Sequence, residues 1–176
     1  MLSWLMSAAL AAETPVTVEQ VDLDRYVGGW YEGASFPAWF QRACTGTTAE
    51  YSLRDDGKIR VVNTCFDETL DGRKRVAEGR AKVVEGSNGS KLKVSFFGPF
   101  WGDYWVLGLD ENYEWAVVGS PDRDYLWILS RTPELPPEVY AEAIGIATEQ
   151  TFEVSRLRPT AQPADATPFP VAPPGA

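Results

Sequence analysis

YVGGWYEGASFP, residues 26–37, alternates apolar and polar residues behind a tryptophan set at the start of the run. Read as a strand, it places Trp30, Glu32, Ala34 and Phe36 on one face, because successive side chains point to opposite sides of a pleated chain. Seven further runs of this kind follow, near residues 46–54, 58–66, 75–84, 91–97, 103–110, 114–120 and 125–131. They are rich in aromatic and β-branched residues and separated by turn residues, the signature of an antiparallel meander. Asp55-Asp56-Gly57, Ser87-Asn88-Gly89 and Asp110-Glu111-Asn112 supply side chains that tolerate the positive φ of tight hairpins.

After Arg131 the texture changes. Pro136 and Pro137 can open a helix, and VYAEAIGIATEQ then places Val139, Ala143, Ile146 and Ala147 on one face. Eight strands paired in order, followed by one amphipathic helix, predict an all-β chain: an eight-stranded antiparallel up-and-down barrel with one C-terminal helix packed outside. Closure removes the exposed edges of an open eight-strand meander. A two-sheet sandwich is the structural alternative.

The chain of 176 residues suits one domain, expected over residues 21–158. Residues 1–20 read as a short apolar, signal-like segment and leader, and residues 159–176, dense in Pro and Ala, as a disordered tail. The net charge of −9 argues against a nucleic-acid partner, and the lack of histidine excludes a histidine-based triad. With two cysteines and no histidine, metal ligands of the usual kind are scarce, and no metal or cofactor is expected. Nothing in the sequence sets an oligomeric state.

In an up-and-down barrel of eight strands, the first strand begins at the end where the eighth finishes. Trp30 and Arg131 therefore meet at one floor, where a guanidinium stacked on an indole is worth about 0.5 to 2 kcal/mol. With this floor in place, the sequence resembles the lipocalins, in particular the bacterial lipocalin and apolipoprotein D group. The resemblance rests on the Gly28-Gly29-Trp30 motif, on GSPDRDY at 119–125, and on Trp127 to Arg131 in LWILSR, and it covers residues 21–158. It implies a cup for a small lipophilic ligand such as a fatty acid or lysophospholipid.

Counting in twos from the floor assigns an inner face of Glu32, Ala34 and Phe36 on the first strand, and of Tyr125, Trp127 and Leu129 on the eighth. Tyr51, Tyr104, Val106, Ala116 and Val118 join it, and these positions form the expected ligand-binding wall. Ala34, Gly108 and Ala116 are small enough to leave volume; a core filled by its own side chains is the alternative. The loops at the open end carry Trp39, Phe40, Arg42, Phe100, Trp101 and Arg123, read as a mouth that meets ligand or membrane lipid, or as aromatics packed into a lid. No inward position offers a lysine, so a ligand's head group is expected near the mouth. Cys44 and Cys65 both fall at the mouth end of one hairpin and are expected to form a disulfide, which points to the periplasm or the exterior, with outer-membrane association as the further expectation. No cysteine precedes Cys44, so an N-terminal lipid anchor is not expected. The expected function is binding, storage or transport. The rivals are an enzyme using Glu32 with Tyr51 or Tyr104 as acid and base, and a protein-interaction module built on the mouth.

Overall fold

The structure of the protein, a computed structural model, describes residues 13–174. The apolar run 1–12 lies outside the described residues. A short helix α1 (Leu23–Tyr26) leads into β1 (Gly28–Ser35), followed by β2 (Cys44–Leu53), β3 (Ile59–Asp67), β4 (Lys74–Val83), β5 (Lys91–Phe97), β6 (Phe100–Leu109), β7 (Trp115–Gly119) and β8 (Leu126–Ser130). Helix α2 (Pro137–Glu149) and a two-residue strand β9 (Arg158–Pro159) complete the order. Each of the first eight strands pairs antiparallel with its neighbour, and β1 pairs with both β8 and β2, so the sheet closes into a barrel.

Two apolar layers result. Trp30, Tyr51, Val61, Ala81, Leu92, Val106, Ala116, Val118 and Leu129 form the inner one. The outer one lies beneath α2, where Leu126, Ile128 and Val117 meet Ala143 and Ala147, both fully buried. Pro137 opens the helix at a position where its missing N–H costs nothing.

Two irregularities change which side chains face the lumen. The β1–β8 register shifts between Glu32 and Ala34, and the β6–β7 register shifts between Val106 and Gly108. An extra residue in one strand inverts the alternation beyond it. Ala34 and Phe36 therefore belong to the outer layer under α2, not to the inner face expected from unbroken alternation. Gly108 likewise pairs with Val117 of the outer layer, and Ile146 Cδ1 lies 2.8 Å from where a Cβ on Gly108 would stand.

The C-terminal segment also departs from expectation. Strands β1 and β2 pair only over Gly28–Tyr31 and Thr48–Tyr51. Above that point they part, and the chain after α2 fills the gap: β9 pairs with Ala34 and Ser35, Thr160 N donates to Gly33 O, and Gly46 N donates to Ala161 O. Gln162 Nε2 then bridges Glu32 O and Thr47 O, both at 2.9 Å. Farther along, Tyr31 OH donates to Thr167 O, Phe169 N donates to Arg131 O, and the Phe169 ring packs 4.6 Å from that of Tyr31. Composition alone predicts a free tail here. Backbone donors and acceptors left open at the seam, together with one phenylalanine, give it a fixed course. At the other terminus Val18 donates to Val106 O and packs on the inner layer.

Candidate functional site: a barrel sealed at the floor and open at the mouth

The floor is built around Arg131. Its guanidinium stands 3.7 Å from the centre of the Trp30 ring and donates to five backbone carbonyls: Gly29 at 2.8 Å, Arg25 at 2.9 Å, and Val27, Tyr26 and Tyr113 at 3.2 Å. Several of these oxygens end the short helix α1, whose last carbonyls have no partner within the helix. Burial lowers the guanidinium's pKa from 12.5 to about 10, the nearby tyrosines opposing the shift. Trp30 is fully buried, and its Nε1 donates to Tyr26 O at 2.8 Å. The two glycines before it have separate reasons. Gly28 has φ +98°, and a Cβ on Gly29 would stand 2.3 Å from the Phe169 ring.

Immediately above the floor lies a trio of tyrosines. Tyr104 OH is 2.7 Å from Tyr26 OH and 3.1 Å from Tyr51 OH. Desolvation raises the pKa of all three, that of Tyr51 to about 12. Higher still, the inner face opens. Ala49, Val94, Phe96, Tyr104 and Trp127 pack against the inner layer yet keep accessible surface. Ala49 shares its face with Asn63 and Ala77, and Val94 with Gly102, so small residues from β2, β4 and β6 line the lumen there; Gly79, opposite Val61, is instead covered by the Phe96 ring, 2.7 Å from where its Cβ would stand.

Of the expected wall, Tyr51, Tyr104, Val106, Ala116, Val118 and Trp127 come together on the inner face. Tyr125 precedes β8 and stacks on Trp127 at 5.7 Å. Glu32 keeps the inward phase of Trp30, opposite Leu129 of the inner layer, at the level where β1 and β2 part. It is buried, and its carboxyl oxygens accept from Thr160 Oγ1 at 2.6 Å, Ser35 Oγ at 2.9 Å and Gln41 Nε2 at 2.9 Å. Gln41 Oε1 in turn accepts from Trp127 Nε1 at 3.1 Å. Gln41 and Thr160 carry no periodic signal, so sequence reasoning passed over them. A cleft of about 180 Å³ lies beside Glu32 at the seam, and one of about 470 Å³ beside Val21 and Gly89 outside the floor.

At the mouth, Trp39, Phe97 and Phe100 are about 70% exposed or more, and Arg42 is exposed. Phe40 packs 5.6 Å from both Trp39 and Tyr125, so an aromatic file runs from the rim to Trp127. Two residues differ from the expected mouth. Trp101 lies on the outer wall, because its neighbour Gly102 takes the inner position, and Lys82 Nζ sits 4.4 Å from its ring. Arg123 is engaged by the carbonyls of Gln150 and Glu13 and by the Phe152 ring. The Cys44–Cys65 disulfide ties β2 to β3 at the mouth end.

An eight-stranded up-and-down barrel, plugged at one end by a tryptophan under an arginine and flanked by one helix, is the architecture of the lipocalins. The chain belongs to that family: the sequence model of the lipocalin-like domain matches residues 21–162. It is 44% identical over 159 residues to the outer membrane lipoprotein Blc of Escherichia coli K12, covering 88% of this chain and 89% of that protein. It is 35% identical over 159 residues to apolipoprotein D of Mus musculus, covering 85% and 81%. Among solved structures, insecticyanin of the tobacco hornworm Manduca sexta superposes with a TM-score of 0.70 at 21% identity, over 88% of this chain and 87% of that one.

Proposed function

We propose that this chain binds, stores or transports a small lipophile, such as a fatty acid or lysophospholipid, in the barrel lumen within the bacterial cell envelope. The observation that carries the reading is the accessible surface kept by Ala49, Val94, Phe96, Tyr104 and Trp127 on the inner face above a sealed floor. A chain of about ten methylenes buried there gains roughly 8 kcal/mol before ordering costs, which is compatible with micromolar binding.

Binding is favoured over catalysis by the state of the candidate acid and base. The carboxyl of Glu32 is taken up by Thr160, Ser35 and Gln41 rather than by Tyr51 or Tyr104, and the tyrosines hold their protons far above neutral pH. The disulfide and the outer-membrane location named for Blc support a periplasmic or secreted site with outer-membrane association. The exposed Trp39, Phe97 and Phe100 support peripheral contact with membrane lipid at the end where a ligand would enter. Mass spectrometry of lipid extracted from purified protein, with tryptophan fluorescence titrated by long-chain lipids, tests the reading. Co-purified lipid and saturable quenching are expected; an empty protein and no saturable signal with any chain would refute it.

A further inference from the structure

The hydroxyls of Tyr26, Tyr104 and Tyr51 form a short file, with Tyr104 in the middle at 2.7 and 3.1 Å from its neighbours. Each hydroxyl carries one hydrogen, and two hydrogen bonds use two of the three. One O–H is always left over, whichever way the file is oriented. Tyr26 and Tyr51 are buried, whereas Tyr104 keeps accessible surface on the inner face. A leftover hydrogen on Tyr26 or Tyr51 would be shut away from any acceptor, at a cost comparable to a lost hydrogen bond. The arrangement that avoids this has both neighbours donating to Tyr104 and Tyr104 donating into the lumen. Accepting two bonds polarises its O–H and strengthens it as a donor.

We infer that Tyr104 donates a hydrogen bond to the leading end of a bound lipophile, so that the lumen selects a single chain carrying an uncharged acceptor oxygen, such as an ester, ketone or protonated acid, at its deep end. The inference rests on the lumen being the binding site; it reverses the expectation that the ligand's polar end stays at the mouth, and it narrows the proposed lipophiles to uncharged single chains, excluding a lysophospholipid with its charged head group.

The acceptor is uncharged for two reasons. Arg131, the cation of the floor, lies against Trp30 with its donors committed to five carbonyls, and so offers none to an anion in the lumen. One neutral hydroxyl does not offset the desolvation of a carboxylate, and the trio stays protonated because burial raises each pKa.

The test compares a long-chain methyl ketone with the terminal alkene of equal length, by tryptophan fluorescence and by the infrared carbonyl stretch of the bound ketone. In the parent protein the ketone is expected to bind about tenfold tighter than the alkene, with its stretch moved to lower frequency. Tyr104→Phe should abolish both the preference and the shift; Tyr51→Phe should keep the shift at reduced size. Equal affinity for the two probes in the parent, or a ketone preference that survives Tyr104→Phe, would overturn the inference and leave lumen binding standing. Failure of both probes to bind would overturn the two together.

Discussion

Replacing Arg131 with alanine is expected to cost stability and to spare binding. The side chain supplies a ring contact at 3.7 Å and five hydrogen bonds to backbone carbonyls, in a position that is 2% exposed. Loss of the cation–π contact removes about 1 to 2 kcal/mol. Of the five carbonyls, that of Tyr26 retains the Trp30 indole N–H, while those of Gly29, Val27, Arg25 and Tyr113 lose the guanidinium. Water entering the vacated space satisfies part of them, leaving a cost of about 1 to 3 kcal/mol. Relief from burying an unpaired charge offsets some of this, so the net loss is about 2 to 4 kcal/mol. Urea unfolding followed by tryptophan fluorescence reads the change as a lower midpoint with an unchanged slope. Trp30 and the tyrosine trio separate the guanidinium from the lumen, so probe affinity of the folded variant should stay within about twofold. An unchanged midpoint with lost affinity would refute the reasoning and place Arg131 in the binding site.

Two further outcomes follow from the same geometry. Raised tyrosine pKa values mean that the folded state holds protons the unfolded chain releases above about pH 10, so the stability due to Tyr26, Tyr51 and Tyr104 is complete below that pH and is lost above it. Arg131, lowered to about 10, acts in the opposite sense between there and 12.5, one group against three; alkaline titration should therefore show the absorbance of three of the seven tyrosines appearing together with unfolding, and all seven ionising before it would count against a dry trio. Ala49→Phe should fill the lumen and abolish probe binding in a folded protein, whereas Ala34→Phe should cost about 1 to 3 kcal/mol beneath α2 with affinity retained; the reverse pattern in fluorescence titration and urea unfolding would restore Ala34 to the inner face.

The strand order, the helix and the floor are legible in the sequence because each rests on a local repeat or on topology. Alternation finds β1 to β8 within a few residues, and the meeting of Trp30 with Arg131 follows from an even strand count. Lumen lining is harder to read, since alternation keeps its phase only while pairing is regular. Glu32 and Ala34 are two residues apart, yet the shift between them sends Ala34 under the helix. The small residues that line the lumen, Ala49, Ala77 and Gly102, lie in strands whose phase only the cross-strand register fixes. Composition also misjudges the C-terminal segment, because it weighs bulk apolar content, and this segment is held by backbone groups together with the side chains of Thr160, Gln162 and Phe169.

The seam between β1 and β2 sets an order of events during synthesis. Strand β1 is among the first parts of the fold to leave the ribosome, but the upper half of one of its edges is paired by Pro159 and Arg158 and bridged to β2 through Thr160, Ala161 and Gln162. Those residues lie more than a hundred positions later in the chain. A nascent barrel can bring all eight strands together and still carry an open edge beside the buried carboxyl of Glu32, free to pair with another chain until residues 158–162 arrive. Completion of the wall is thus tied to the arrival of residues 158–162, and a product truncated just after α2 would leave that edge unpaired.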